Sequence, residues 1–153
     1  MNKIVLSIIF FSFITILSIP SAEGAWCDSS YSNNRVINIT NQNTTHNMTT
    51  GQVVIDVFDT TGADFQDDGD DVRILYTEDN GTTCNDLHRV NITSFNSATT
   101  WVAWKLNNTI EAGTYNDTSY WLYYNNSAAT SPNENIHTVF GKNADNFDND
   151  INA

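Results

Sequence analysis

Apolar and polar positions alternate in short runs along this chain, and clusters rich in Asn, Thr, Asp and Gly separate the runs. A period of two places successive side chains on opposite faces of an extended strand. It marks six strands, at Arg35 to Thr40, Val53 to Phe58, Val72 to Thr77, Leu87 to Thr93, Trp101 to Leu106 and Ser119 to Tyr124, with a seventh at Ile136 to Phe140. No window sustains a 3.6-residue apolar period with caps, and the abundance of Asn, Thr, Tyr and Trp disfavours helix. The pattern predicts an all-β domain, an antiparallel β-sandwich, with a jelly roll as one form of it. In Tyr120-Trp121-Leu122-Tyr123-Tyr124 both faces carry large side chains, so this run is expected inside a sheet. Trp101 and Trp104 lie an odd number of residues apart and so face opposite sides of their strand.

The first 24 residues follow a different pattern. Lys3 gives a positive start, Ile4 to Ile19 are apolar apart from Ser and Thr, and Pro20 ends the run. This reads as a secretory signal, with Ala22 and Gly24 placed for cleavage after Gly24. Read instead as an uncleaved anchor, the 16 residues from Ile4 to Ile19 fall short of the roughly 20 a spanning helix needs. Contact with a membrane is expected only if the leader stays attached. Residues 25–141 then form one module, and 142–153 a polar tail that resembles the start of a truncated second domain.

Composition narrows the partners. A net charge of -12 repels nucleic acid and anionic membranes. Export to an oxidising compartment makes the two cysteines, Cys27 and Cys84, one disulfide. Asn-x-Ser/Thr acceptors begin at Asn38, Asn43, Asn47, Asn80, Asn91, Asn107, Asn116 and Asn125. They make this a candidate glycoprotein where the host glycosylates such sites.

Leu87-His88-Arg89-Val90-Asn91, Phe95-Asn96-Ser97-Ala98-Thr99-Thr100-Trp101 and Tyr123-Tyr124-Asn125-Asn126-Ser127-Ala128 occur in that order. Together with Asp71-Val72-Arg73-Ile74, Pro132 and Val139-Phe140 they resemble the family called domain of unknown function 2341, over about residues 26 to 140. The resemblance implies a secreted or surface module of bacteria and archaea, often one unit of a longer chain. Members usually carry Tyr-Tyr-Gly-Asn, and Asn125 stands here in place of the glycine. Asn tolerates a left-handed backbone better than other non-glycine residues, so the turn is expected to survive. The family brings no established activity or site residues.

The chain's own candidate chemistry is sparse. Asp64, Asp67, Asp68, Asp70 and Asp71 crowd around Gly69, and closely spaced hard oxygens are what calcium requires. The calcium-loop template fails, because counting from Asp64 puts Gln66 at the third ligand position and Leu75 at the twelfth. A solvated acidic turn is the simpler expectation. Glu78, Glu111 and Glu134 lie in turn-like, Asn-rich surroundings, and His46, His88 and His137 are isolated. No nucleophile sits in a recognisable elbow, so no enzyme is expected. Trp101, Trp104 and Trp121 could stack on sugars, since an aromatic face suits the apolar side of a pyranose. The sequence therefore predicts a non-catalytic extracellular module, structural or adhesive, whose partner is a surface protein or surface glycan. The alternative is a carbohydrate-binding module, with a glycoside hydrolase a distant third.

Overall fold

The computed structural model describes residues 27–78 and 83–141. The leader at 1–24, the acceptor Asn80 and the tail at 142–153 lie outside the described residues. Nine strands and one short helix follow in order: β1 (Asn33–Val36), β2 (Ile39–Thr40), β3 (Val53–Phe58), β4 (Arg73–Thr77), β5 (Cys84–Leu87), β6 (Arg89–Asn91), β7 (Thr100–Lys105), β8 (Tyr115–Asn116), β9 (Tyr120–Tyr124) and α1 (Ile136–Phe140). The fold is all-β. Its sheets are ordered β1-β9-β4-β5, β2-β8 and β3-β7-β6, and every strand pair in them is antiparallel.

Two of the expected strands each divide between sheets. The run from Arg35 to Thr40 supplies the end of β1 and all of β2, and the run from Leu87 to Thr93 supplies the end of β5 and all of β6. Chains turn such corners where a strand bends from one sheet into the next. Apolar alternation continues across the bend, with Ile37 and Ile39 both buried, and so hides it.

One apolar cluster joins all three sheets. Ile74, Tyr76, Tyr120 and Leu122 of the four-stranded sheet meet Phe58, Val102 and Trp104 of the three-stranded sheet and Ile39 of β2. Phe58 stacks on Trp104 at 6.3 Å between ring centroids. β9 lies between β1 and β4, as its two-sided aromatic pattern predicts. The opposite faces of β4 and β9 are covered as well: Leu75 and Tyr123 join Tyr31 in a second cluster, with Cys27 and Trp121 packed against it. Tyr31 and Tyr123 meet edge to face at 6.0 Å.

The seventh expected strand is a helix instead. Asn135 accepts a hydrogen bond at its side-chain oxygen from the Thr138 backbone N–H, 2.9 Å away, which caps a first turn at Ile136. Gly141 takes φ 94° and ends the helix after Phe140. The β-branched residues of Ile136-His137-Thr138-Val139 imitate a strand, but the cap decides the local backbone.

Candidate functional site

The disulfide expected from the cysteine count forms between Cys27 and Cys84, with Cα atoms 5.8 Å apart. It ties the chain before β1 to the opposite edge strand, β5, of the four-stranded sheet. The Cys27 backbone N–H donates to the Tyr123 hydroxyl at 3.0 Å, which holds the segment across the sheet.

The acidic loop is organised by arginines. Arg89, a buried β6 residue, donates from Nη2 to the Gly69 carbonyl at 2.7 Å and from Nε to the Val72 carbonyl at 3.0 Å. Its Nη1 pairs with Glu134 at 2.5 Å, and its guanidinium lies over the Phe95 ring. Burial pulls the Arg89 pKa down, against the upward pull of Glu134. Arg73 takes the Asp70 carbonyl at 2.6 Å and pairs with Asp86 at 3.5 Å. Burial pushes the Asp86 carboxyl up, with Arg73 opposing.

Asp71 is buried and uses both oxygens on backbone donors, accepting from Gln66 at 3.0 Å and from Asn125 at 2.9 Å. Asp68 caps the Asp70 N–H, and Asp64 accepts from the Asn125 side-chain amide. Asn125 itself adopts φ 65°, the left-handed conformation expected of it. Gly69 is required on two counts, a φ of +72° and a position where any Cβ would collide with the Phe95 ring. Among the described residues no three of His, Cys, Asp and Glu converge in an arrangement that could hold a metal ion. The Asp64, Asp67, Asp68, Asp70 and Asp71 set is therefore not gathered as one ligand cluster. Guanidinium groups occupy loop carbonyls that a cation would otherwise seek.

The three indoles are not brought together. Trp104 is fully buried and Trp101 is 45% exposed on the other face of the same strand. Trp121 belongs to the other sheet, half-buried beside the Tyr31 cluster, with its Nε1 donating to the Thr118 carbonyl at 2.9 Å. Trp104 is corrected from a stacking candidate to a core residue, because it has no surface to offer a ring. Trp101 alone remains well exposed.

Trp101 lies in a larger apolar face that the sequence did not single out. Register places it between Val57 of β3 and Ile92 just beyond β6, and Ala103 between Ile55 and Val90. Val53, Ile55, Val57, Ile92 and Trp101 are each between 38% and 49% exposed. The sequence signal for this face is that Val53, Ile55 and Val57 alternate as an unbroken apolar set, while the polar Asp56 falls on the side of Val54 and Phe58.

The glycan acceptors differ in exposure, and Asn38 lies beside Val57 of this face. Asn38, Asn43, Asn47 and Asn107 are exposed, while Asn91, Asn116 and Asn125 are partly buried. The Asn116 amide nitrogen donates to Ser119 at 3.1 Å and that of Asn125 to Asp64. Attachment of a sugar at either nitrogen would disturb those bonds.

At the Lys105 end of the same sheet a cleft of about 310 Å³ opens, lined by Thr50, Gly51, Asp86, Leu87, His88, Lys105, Leu106, Asn107, Thr138 and Val139. Its one sequence signal is that Lys105 is the sole lysine from residue 4 to residue 141. No family model, curated protein or solved structure matches the chain.

Proposed function

We propose that residues 25–141 form a non-catalytic extracellular module that adheres through the outer face of the β3-β7-β6 sheet, a reading in keeping with the resemblance to the secreted and surface modules of domain of unknown function 2341. The observation that carries this reading is the run of exposed apolar side chains at Val53, Ile55, Val57, Ile92 and Trp101. Exposed apolar surface on a folded domain is a common mark of an interaction face. Of the acceptor asparagines, Asn91 pairs with Val102 on the core side of the sheet, whereas Asn38 lies beside Val57 at its rim.

A further observation supports the compartment. The Cys27–Cys84 disulfide is compatible with an extracellular location. Glu134 is engaged by Arg89, and the Tyr76 hydroxyl donates to Glu78 at 3.3 Å. Both carboxylates serve the fold.

Retention of the mature domain on protein-coated and polysaccharide-coated surfaces tests the reading. Ile55→Glu and Trp101→Glu should abolish retention on protein while leaving the melting temperature near wild type. Unchanged retention in both variants overturns the assignment to this face. Turnover of any chromogenic glycoside, lost on changing one carboxylate, overturns the non-catalytic reading. The exposed Trp101 indole keeps carbohydrate binding as the second reading, and polysaccharide retention lost in Trp101→Ala would promote it.

A further inference from the structure

The Lys105 cleft has a chemistry unlike the rest of the molecule. The chain carries a net charge of -12, and the other cations of the described residues are engaged. Arg35 lies over the Phe58 ring at 5.2 Å, Arg73 pairs with Asp86 and Arg89 pairs with Glu134. Among the described residues Lys105 has no carboxylate within ion-pairing distance. Lys105 is a half-buried residue that lines the cleft together with Leu87, Leu106 and Val139, and an anion in a partly desolvated cleft is attracted more strongly than in open water.

The remaining lining sorts by type. Thr50, Asn107 and Thr138 offer hydroxyl and amide groups, and Leu87, Leu106 and Val139 offer an apolar floor. Asp86 can accept from a hydroxyl, and its own charge is balanced by Arg73. His88 Nδ1 is shut from solvent without a partner, which leaves Nε2 as the ring nitrogen a ligand can reach. The volume of about 310 Å³ lies at the lower end of small-molecule sites, about 300 to 1,000 Å³, and so fits one small unit. A single ammonium matches a monoanion. A phosphate dianion would call for several charged donors. Hydroxyl and amide groups interleaved with aliphatic carbon match a pyranose, which shows both polar edges and C–H faces.

We propose that this cleft binds a hexuronate unit of a glycan chain, with the carboxylate on Lys105 and the ring hydroxyls on Asn107, Thr138 and Asp86. The site goes beyond the adhesive reading, because it lies at the end of the sheet face and uses none of Val57, Ile92 or Trp101. The two can fail separately: Trp101→Glu should leave the cleft's ligand bound, and a cleft variant should leave protein adhesion intact.

Amide NMR titration of the mature protein tests it, with glucuronate and galacturonate as probes, glucose as the uncharged control and acetate as the control for charge alone. The uronates should shift the amides of Gly51, Leu87, His88, Asn107 and Thr138 with a dissociation constant in the millimolar range. Glucose and acetate should each bind at least about tenfold more weakly. Lys105→Met keeps the aliphatic stem and should weaken uronate binding about tenfold or more. Lys105→Arg should restore most of it, and the rest of the spectrum reports that the fold is intact. Absence of shifts at these amides at 100-fold molar excess or more overturns the site. So does uronate affinity unchanged in Lys105→Met. Glucose or acetate binding as well as the uronates overturns the ligand class.

Discussion

The four-stranded and three-stranded sheets share one core but treat their outer faces differently. On the four-stranded sheet, Leu75 is 6% exposed and Tyr123 is 1% exposed on the side away from the core. The chain before β1, held by the disulfide, folds back over them. On the three-stranded sheet the corresponding positions, Ile55 and Trp101, are close to half exposed. Burial of apolar area stabilises by roughly 25 cal/mol per Å², so the first sheet gains from both faces and the second from one. Stability is concentrated on the first sheet. The second keeps an apolar surface available for another molecule, at no loss to the shared core.

The strongest way to break this contrast is to release the cover. The double substitution Cys27→Ser and Cys84→Ser opens a loop spanning a sequence separation of 57, for which the chain-entropy model gives a loss of about 4 kcal/mol. Urea unfolding of the double variant measures it. A loss below about 1 kcal/mol would mean that Tyr31 and its contacts hold the cover without the bond. Single truncations sharpen the same point. Leu75→Ala should lose about 2 to 4 kcal/mol, whereas Ile55→Ala should lose about 0.5 kcal/mol or less, since its side chain is half in water already. Equal losses in the two variants would show that the outer face of the three-stranded sheet is structurally committed.

How far the sequence discloses this arrangement depends on what each residue must report. Val53 to Phe58 coincides with β3 because its alternation runs straight through one sheet. Arg35 to Thr40 looks the same, yet its backbone changes sheets between Val36 and Ile39, and alternation carries no mark of such a bend. The disulfide was legible from count and compartment alone. The acidic loop was not, because its organising cation is Arg89, remote in sequence, and no local spacing connects it to Gly69 and Val72. Two-residue β8 is too short to show a period. Val53, Ile55 and Val57 show their part of the exposed face in the sequence, but their joining with Ile92 and Trp101, like the Lys105 cleft, arises from register between strands.

Tyrosine ionisation sharpens the comparison from one side, since β3, β6 and β7 contain no tyrosine. Burial above all, and then the neighbouring Glu78, pushes the Tyr76 hydroxyl from 10.0 up to about 12. Burial likewise raises Tyr120 and Tyr31. Tyr76 and Tyr120 belong to strands of the four-stranded sheet and face the shared core, and Tyr31 belongs to the cover. The folded state thus retains protons that the unfolded chain releases near pH 10, so the stabilisation from these groups is complete below that pH. It is lost progressively as pH rises toward 12. Absorbance at 295 nm should show this late tyrosine ionisation coinciding with unfolding, while Tyr76→Phe should move the alkaline unfolding midpoint to higher pH. An unchanged midpoint would place the alkaline weakness outside the covered sheet.

The smallest expected effect concerns the loop that joins the two sheets. Calcium bound to the native state at 100 times its dissociation constant would add about 2.7 kcal/mol and raise the melting temperature by several degrees. In the described loop, Asp71 spends both oxygens on backbone N–H groups, and Arg89 and Arg73 take the carbonyls of Gly69, Val72 and Asp70. Asp64, Asp67 and Asp68 are exposed and Asp70 is half-buried, and among the described residues they do not converge on a metal site. Scanning calorimetry with millimolar calcium and again with chelator should therefore give melting temperatures within about 1 °C of each other, as expected for screened surface charge. A larger rise with calcium would show a cation joining the two arginines in holding the loop. The Arg89→Met variant separates the two contributions: it strips the guanidinium from Gly69, Val72 and Glu134, and its instability should be the same with calcium as with chelator if arginine alone organises the loop.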